Sequence, residues 1–322
     1  MRAAVCPAHG PPDVVRIEEM PAPTLADGEA LVRVDVAAVN FPDVLLIAGT
    51  YQIRVPPPFV PGSEYAGVVV ETRGDTGSLA VGDRVTGTGM VGAFAELVAA
   101  PATGLVRTPD GVDAARAAAG GVGHRTAHHA LRSVARIAPG DDLVVLGAGG
   151  GVGLAAVQLG VIMGATVTAV ASSAEKLAVS TSYGASHAID HRNGDLRQAL
   201  RDVLPHGCAA VLDPVGGTLS EPALRSLRRG GRFVTMGYAS GDIPRIPLNL
   251  VLVKGIAILG FQFQDVDPDE FTRNERELHE LLATGRVMPH VGATYPLDEA
   301  SAALRHVAAG RAIGKVLIDV RG

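Results

Sequence analysis

The 322-residue sequence is poor in several residue types. It has only two cysteines, Cys6 and Cys208, no tryptophan, and three lysines among 28 basic residues. Two cysteines cannot form a disulfide framework, and they cannot supply a zinc site of four cysteines. The residues after Met1 lack the long apolar run of a signal peptide, so we expect a cytoplasmic protein.

Positive charge is scarce as well. The net charge is −5, and the sequence contains no run of basic residues, which argues against electrostatic binding of nucleic acid. Apolar residues make up 47% of the chain and charged residues 19%, a composition typical of globular proteins with substantial cores. We therefore expect neither a nucleic-acid nor a membrane partner.

The charge-free stretch from Leu143 to Ala174 is 32 residues long and raises the possibility of a membrane span. A membrane helix needs about 20 apolar residues in unbroken helical conformation. Five glycines lie between Gly147 and Gly153, and each costs a helix interior roughly 1 kcal/mol relative to alanine. We interpret the stretch as strand, turn, helix and second strand, in which the lack of charge reflects burial of parallel strands on both faces.

The hydrophobic periodicity changes near Asp113. Before it, strands are predicted at 30–36, 65–71, 81–85 and 93–98, which indicates a small barrel or sandwich. After it, helical patterns alternate with apolar runs at 143–146, 166–171, 187–190, 209–213, 232–236 and 255–260. Six strands with intervening helices predict a doubly wound parallel sheet of α/β class. Helices at 270–282 and 297–309 and a strand at 315–320 are predicted to close the chain.

The glycine-rich turn within the charge-free stretch has a chemical use. A tight strand-to-helix turn without side chains lets a diphosphate reach backbone N–H groups at a helix N-terminus. The pattern G-x-G-x-x-G is not strictly met, because Ala148 takes the first position when Gly150 and Gly153 take the last two. A tight turn without a ligand is the alternative. The predicted βαβ setting favours dinucleotide binding.

The residues after the second predicted strand bear on which dinucleotide binds. NAD-binding units usually place Asp or Glu there for the ribose 2′-hydroxyl, but this strand ends in Ala171. Ser172 and Glu175 have the spacing of a capping box, so the alternative is that this segment only starts the next helix and binds no cofactor. Lys176 fits that alternative poorly, since a cation in a first helical turn opposes the macrodipole. The absent carboxylate and the present cation favour NADPH over NADH.

Several motifs occur together and in order along the chain. They are 39–43 (VNFPD), 49–51 (GTY), 61–69 (PGSEYAGVV), 81–85 (VGDRV), 126–131 (TAHHAL), 148–153 (AGGGVG) and 314–318 (GKVLI). With these motifs the chain resembles the medium-chain dehydrogenase/reductase superfamily, and within it the zinc-independent quinone oxidoreductases that include ζ-crystallin. The resemblance implies a GroES-like β-barrel catalytic domain at 1–122, a Rossmann domain at 123–262, and a return to the catalytic domain at 263–322.

The resemblance also bears on metal binding. Zinc-dependent relatives place a Cys in the segment that is 40–43 here, and a His where this chain has Ser63. They also carry a four-cysteine lobe, and none of these ligands is present. The rival metal site would use His124 and His128, four residues apart on one helix face, but no third ligand can be named. We expect no metal.

The expected absence of zinc bears on the substrate. A simple ketone collects the negative charge of hydride transfer on one oxygen and normally needs a Lewis acid or a strong proton donor. A quinone or an enone spreads that charge by conjugation and needs less stabilisation, so we expect a conjugated carbonyl as the substrate.

Roles for individual residues follow from the resemblance alone. Asn40, Tyr51 and Thr126 would border the nicotinamide and the substrate, and Tyr51 has the alternative of loop packing. Tyr238 and Phe263 have the alternative of domain-interface packing. Asp43 and Glu64 are interpreted as structural carboxylates that hold the barrel through hydrogen bonds. The predicted cofactor-binding residues are Ala148, Gly149, Gly150, Gly151 and Val152 at the diphosphate, Ser172, Lys176 and His191 at the 2′-phosphate, and Gly237, Tyr238, Phe261 and Phe263 at the nicotinamide.

Three functional hypotheses remain at this stage. The first is a zinc-independent, NADPH-dependent quinone reductase. The second is a reductase of the carbon–carbon double bond in enones or enoyl thioesters that uses the same cofactor. The third is a non-catalytic NADPH-binding protein, because a fold alone does not fix a function. The resemblance further implies a homodimer formed by pairing of sheet edges.

Overall fold

The structure is a computed structural model that describes residues 1–321. Its strands, numbered in chain order, are β1 Arg2–Val5, β2 Arg16–Glu19, β3 Glu29–Val39, β4 Glu64–Thr72, β5 Arg84–Thr88, β6 Leu97–Pro101, β7 Leu105–Arg107, β8 Asp142–Leu146, β9 Thr166–Ala171, β10 His187–Asp190, β11 Cys208–Asp213, β12 Leu227–Thr235, β13 Ala257–Gly260, β14 Val291–Pro296 and β15 Lys315–Asp319.

The helices alternate with these strands. They are α1 Phe41–Ala48, α2 Ala114–Ala119, α3 Val122–His129, α4 Gly151–Ile162, α5 Ala174–Ser182, α6 Leu196–Val203, α7 Ser220–Arg225, α8 Asn249–Lys254, α9 Pro268–Ala283 and α10 Ala300–Ala308. A π-helical turn, Ala130–Val134, continues α3. None of the helices within residues 1–321 is both long enough and apolar enough to span a membrane.

The chain divides into two compact units. One contains Met1–Val122 and the chain from Leu282 onward, and the other is Gly123–Leu281. The second division was predicted after residue 262, whereas residues 263–281 fall in the second unit and not in the returning segment. The assignment of catalytic and cofactor functions to these segments remains a prediction.

The first unit contains a mixed sheet with strand order β14-β15-β3-β4-β5-β7, in which β6 also pairs with β3. The last strand, β15, runs antiparallel to β3, with Leu317 opposite Ala38, so β15 joins the sheet that β3 to β7 form, whereas β1 and β2 pair in a separate two-stranded sheet. Apolar residues of β3, such as Val32, fill one core together with apolar residues of α1, α10 and β15, among them Ile318. Arg33 interrupts this buried run of β3 and is exposed.

Two strands of the first unit start later than predicted. Residues 81–82 form a turn in which Gly82 has φ of +95°, and β5 begins only at Arg84. Ala95 makes only an isolated bridge to Ala3 before β6 begins at Leu97. In both places a local turn takes up residues whose apolar pattern suggested strand.

The second unit contains the predicted doubly wound sheet. Its six strands are all parallel in the order β10-β9-β8-β11-β12-β13, and they match the six predicted runs within a few residues. The central strand β8 is fully buried from Leu143 to Leu146, because it has a neighbour on both sides and helices on both faces. The chain-order reversal next to β8 is where such sheets bind ligands.

Candidate functional site

The glycine-rich turn connects the carboxyl end of β8 to the first turn of α4. Gly147 has φ of +62°, and Gly150 is the N-cap of α4. A Cβ atom on Gly153 would lie 2.6 Å from the Gly147 carbonyl carbon and 2.9 Å from Ala148 Cα. Glycine at 153 is therefore required by the close approach of α4 to the preceding turn, which is the packing role of the third glycine in dinucleotide-binding turns.

The first turn of α4 offers backbone donors. Gly150 has no side chain to cap the helix, and the first intrahelical bond runs from the Leu154 N–H to the Gly150 carbonyl oxygen. The N–H groups of Gly151, Val152 and Gly153 thus belong to the first helical turn, which lacks carbonyl partners within the helix. Such donors, aided by the helix dipole, favour an anion such as a diphosphate.

Lys176 lies directly behind this turn. A Cβ atom on Gly149 would come within 2.6 Å of Lys176 Cγ, so the bare backbone of the turn lies against the lysine stem. Burial lowers the pKa of Lys176, and the neighbouring charge of Arg192 lowers it further. A bound anion would stabilise the charged form of this ammonium group.

The start of α5 differs from the predicted capping box. Ser173, rather than Ser172, is the N-cap, and its Oγ accepts a hydrogen bond from the Lys176 N–H at 3.3 Å. Ser172 Oγ instead accepts from Lys176 Nζ at 3.4 Å. The capping-box interpretation of Ser172 with Glu175 is therefore wrong by one residue, since the extended backbone at Ser173 leads into the helix. Ser172 is left beside the lysine ammonium.

His191 follows β10, the neighbour of β9 in the sheet, and is half-buried. Burial lowers its pKa, and Arg192 and Lys176 lower it further. The structure thus gathers a lysine, a histidine and an arginine at the carboxyl ends of β9 and β10. The sequence prediction included His191 but not the next residue, Arg192, whose proximity to Lys176 follows from the pairing of β10 with β9.

The four residues predicted on the nicotinamide side follow the neighbouring strands β12 and β13 of the parallel sheet. Gly237 lies near Pro214, and Tyr238 is 40% exposed. Phe261 is buried after β13 and contacts Phe263 edge-to-face at 5.1 Å between ring centroids. Phe263 also packs against His129 of α3 and Phe271 of α9, within the second unit.

The helices α3 and α9 are joined by a ladder of charged and aromatic side chains. Glu275 accepts hydrogen bonds from Arg125 Nε at 2.9 Å and contacts His129 Nε2 at 2.7 Å. The His129 ring stacks on Phe271 at 4.7 Å, and the Arg125 guanidinium lies over the Phe263 ring at 5.5 Å. Burial would raise the pKa of Glu275, but His129 and Arg125 outweigh it and hold that pKa below its usual value. Arg125, which directly precedes Thr126, is therefore paired with a carboxylate within the second unit.

Thr126 itself is half-buried on α3, within the second unit, whereas Asn40 and Tyr51 lie in the first.

His124 and His128, the alternative metal-binding pair, are both buried. His128 Nε2 lies 3.6 Å from Glu277, and burial lowers the pKa of His128 to about 4. Among residues 1–321, no three His, Cys, Asp or Glu side chains are grouped so that they could hold a metal ion.

Asn40 lies in a buried polar network of the first unit. As N-cap of α1, its backbone N–H donates to Asp43 Oδ2 at 2.7 Å. Its side-chain Oδ1 accepts from Lys315 Nζ at 2.6 Å, and its Nδ2 donates to Ser63 Oγ and to Glu64 Oε1, both at 3.1 Å. Every polar atom of the Asn40 amide therefore has a partner within the unit.

Glu64 anchors this network. Its Oε1 also accepts from Lys315 Nζ, and its Oε2 accepts from the backbone N–H of Val122, where the first segment of the unit ends. Lys315 was named from the sequence only as part of a C-terminal motif. Its partners Asn40 and Glu64 lie more than 250 residues away in sequence, so periodicity could not have found them.

The two remaining candidates of the first unit differ in environment. Asp43 is fully buried, and burial raises its pKa to about 7 even though the Asn40 N–H opposes that rise. Tyr51 follows α1 and packs against the apolar core of the unit, which agrees with the packing alternative for its ring. The interpretation of Asp43 and Glu64 as carboxylates that hydrogen-bond within the barrel agrees with these contacts.

Two family patterns match the chain. The pattern of the alcohol dehydrogenase GroES-like domain matches residues 26–110, and that of the zinc-binding dehydrogenase matches residues 151–283. They fall on the mixed sheet of the first unit and on the parallel sheet of the second. The expected combination of a GroES-like domain with a Rossmann domain is thus confirmed.

Individual relatives resemble the chain along nearly its whole length. Quinone oxidoreductase-like protein 2 of Mus musculus is 35% identical over 327 residues, covering 99% of this chain and 92% of that protein. The crystal structure of the quinone oxidoreductase from Thermus thermophilus, also solved in complex with NADPH, is 31% identical with a TM-score of 0.86, covering 99% and 100% of the two chains. The Escherichia coli quinone oxidoreductase complexed with NADPH is 26% identical with a TM-score of 0.91, over 99% and 100%.

The fold, the glycine-rich turn and the full-length likeness agree with each other. The chain belongs to the quinone oxidoreductase family of the medium-chain dehydrogenases/reductases.

Proposed function

We propose that this protein binds NADPH and catalyses zinc-independent reduction of quinones or other conjugated carbonyls by hydride transfer. The observation that carries the proposal is the glycine-rich turn at 147–153, in which Gly149 lies directly against the Lys176 side chain. It provides backbone donors for a diphosphate and a cation for a 2′-phosphate in one place. The NADPH bound by the Thermus and Escherichia coli relatives supports the same assignment.

The roles in cofactor binding follow from the geometry of the second unit. Gly150, Gly151 and Val152 would contact the diphosphate, with Ala148 and Gly149 forming the wall of the turn. The N–H groups of Gly151 and Val152 would be the donors, because the Gly150 N–H already donates to the Gly147 carbonyl oxygen at 2.9 Å. Ser172, Lys176 and His191 would surround the 2′-phosphate. Burial, Arg192 and Lys176 lower the pKa of His191, and a phosphate bound beside the ring would oppose that shift while accepting a hydrogen bond from it.

The acceptor side requires no metal in this proposal. Bound NADPH supplies the hydride, and a conjugated acceptor delocalises the charge that it receives. Where zinc-dependent relatives carry ligands, this chain has Asn40 and Ser63, which are hydrogen-bonding groups. Asn40, Tyr51 and Thr126 would orient the acceptor and the nicotinamide, and Gly237, Tyr238, Phe261 and Phe263 would exclude water from the nicotinamide.

The cofactor preference is tested by measuring the binding of NADPH and NADH to Lys176→Ala, with the fluorescence of the reduced nicotinamide as the signal. A lost charge-assisted hydrogen bond is worth roughly 1.5–3 kcal/mol, so affinity for NADPH should fall by about 10- to 150-fold while affinity for NADH changes little. Lys254→Ala, at the end of α8, is the matched control and should bind both cofactors as the wild type does. Equal losses for both cofactors in Lys176→Ala would contradict the phosphate assignment.

The reaction is tested by turnover with para-benzoquinone and with a short enone, in the presence of a metal chelator. Fast oxidation of NADPH with the quinone supports the proposal. Turnover with the enone alone would favour the double-bond reductase instead. Binding of NADPH without turnover on either acceptor would leave a non-catalytic nucleotide-binding protein.

We also propose that the protein is a homodimer. The strand β13 is the last strand of its sheet, so one of its edges has unpaired backbone groups. Large apolar side chains of the same unit are exposed nearby in sequence, namely Leu248, Leu252, Val253 and Ile258. Pairing of two β13 edges would cover both features.

A further inference from the structure

The buried network around Asn40 forms a directed chain of hydrogen bonds. It begins at the Lys315 ammonium group, which donates to Asn40 Oδ1 at 2.6 Å, and continues from Asn40 Nδ2 to Ser63 Oγ at 3.1 Å. A cation at one end polarises each following donor, because hydrogen bonds in a chain strengthen one another in a low dielectric. The Ser63 hydroxyl is the terminal group of this chain.

Only the terminal group is accessible. Lys315 is 4% exposed, Glu64 1% and Asn40 8%, whereas Ser63 is half-buried. Since Ser63 Oγ accepts from Asn40, its own hydrogen remains to be donated to another acceptor. The Asp43 carboxyl group competes for that hydrogen, because Ser63 helps to lower the pKa of Asp43 against the effect of burial.

Structural stability alone is a weak explanation for this arrangement. A buried ion pair such as Lys315 with Glu64 often contributes no more than a well-packed apolar pair would. The chain has only three lysines among 28 basic residues, and one of them is buried here. A compact ammonium group on Asn40 Oδ1 fixes the orientation of the amide, so that the amide Nδ2 faces Ser63 Oγ and Glu64 Oε1 at 3.1 Å, with the Ala38 carbonyl oxygen more distant at 3.5 Å. The network thus specifies the direction of its donors.

We propose that the Ser63 hydroxyl donates a hydrogen bond to the oxygen of the conjugated carbonyl acceptor, and that Asn40 and Lys315 are positioning residues that orient and polarise it. The inference rests on the proposed reductase function and names the group that stabilises charge on the acceptor oxygen. A preorganised donor aimed at developing charge is among the largest single contributions to such reactions. In this chain it would serve where zinc-dependent relatives use a metal.

The first test is the pair Ser63→Ala and Ser63→Thr, with kcat and KM measured for para-benzoquinone and a short enone. Removing one such donor costs up to about 100-fold in kcat when the charge is held on one oxygen. Ser63→Ala should therefore lose roughly 100-fold in kcat/KM with the enone but only roughly 10-fold with the quinone, which delocalises the charge. Ser63→Thr keeps the hydroxyl and should stay within about 3-fold of the wild type. Affinity for NADPH should be unchanged in both variants.

The second test is a double-mutant cycle between Ser63→Ala and Lys315→Met, which separates a positioning role from a structural one. If Lys315 acts through Ser63, Lys315→Met should lower kcat/KM in the wild type but not further in the Ser63→Ala background. Additive losses would overturn the positioning role. Should Lys315→Met fail to fold, as thermal unfolding would show, Lys315→Arg tests the same coupling with the charge retained and its position changed.

The outcomes distinguish this inference from the function on which it rests. A wild type that binds NADPH but turns over neither acceptor overturns the proposed function, and the role of Ser63 with it. A wild type that turns over an acceptor, with Ser63→Ala within about 2-fold of it on both acceptors, overturns the role of Ser63 alone.

Discussion

Replacing Gly153 by alanine sets two effects of opposite sign against each other. Alanine is the better helix former, and in the first turn of α4 it would stabilise the helix by up to about 1 kcal/mol. The added Cβ atom, however, would meet backbone atoms of Gly147 and Ala148 at 2.6–2.9 Å. Backbone cannot rotate away as a flexible side chain can, so the strand-to-helix turn itself has to move.

The steric effect should prevail. Overpacking a tight site costs typically about 1–3 kcal/mol, and the upper end applies here because the neighbours are backbone atoms. We expect Gly153→Ala to lower the free energy of unfolding by about 2 kcal/mol, which for a protein of 322 residues corresponds to a fall of roughly 3 °C in Tm. The displaced turn should also weaken NADPH binding, because its N–H groups no longer converge on the diphosphate.

Urea unfolding of the wild type and the variant measures the difference, and NADPH titration measures the effect on the turn. Gly150→Ala is the matched control in the same turn. Its Cβ would lie 3.5 Å from the Gly147 oxygen, with φ of −87°, so it should cost at most about 1 kcal/mol, through the loss of a good N-cap residue. A Gly153→Ala protein as stable as the wild type, or more stable, would refute the close-approach argument.

Three further predictions concern ionisation and assembly. Burial lowers the pKa of His128 to about 4 from 6.5, so the stability that depends on its neutral form is lost as pH falls through this window; the free energy of unfolding should fall between pH 8 and pH 5 by about 2 kcal/mol more in the wild type than in His128→Leu. Burial raises the pKa of Asp43 to about 7 from 3.8, so stability is lost as pH rises between these values. The free energy of unfolding of Asp43→Asn, relative to that of the wild type, should therefore rise by about 3 kcal/mol between pH 4.5 and pH 8. A difference between the two proteins that does not change with pH would contradict the raised pKa of a buried carboxyl group. Leu252 is 82% exposed on α8; Leu252→Lys should shift sedimentation from dimer to monomer while NADPH still binds, and an unchanged sedimentation coefficient in a dimeric wild type would place the interface elsewhere.

Local pattern was sufficient where neighbours in sequence are also neighbours in space. The six strands of the second unit were predicted because each is a short apolar run between helical patterns, and a parallel strand buried on both faces must be apolar. The glycine turn was predicted because the requirement for glycine arises within seven residues, from Gly147 to Gly153. The N-cap of α5 was missed by one residue, since Ser172 and Ser173 are both competent caps and only the backbone conformation selects Ser173.

Only the tertiary structure decided which distant side chains share an environment. Arg192 comes close to Lys176 because β9 and β10 are adjacent in the sheet. Glu275 reaches Arg125 and His129 through the packing of α9 on α3. Hydrogen bonds and ion pairs act over a few ångströms of space and carry no periodicity along the chain, so a sequence does not display them.

The sequence by itself thus determined the fold class, the nucleotide-binding turn and the family, because these depend on propensity, spacing and glycine geometry. The surroundings of Asn40 depended on tertiary structure. The antiparallel pairing of β15 with β3 brings Lys315 beside Asn40, and the burial of both removes water as a competing partner. Because both residues are buried, Lys315 is the first donor of a series of hydrogen bonds that passes through Asn40 and ends at Ser63.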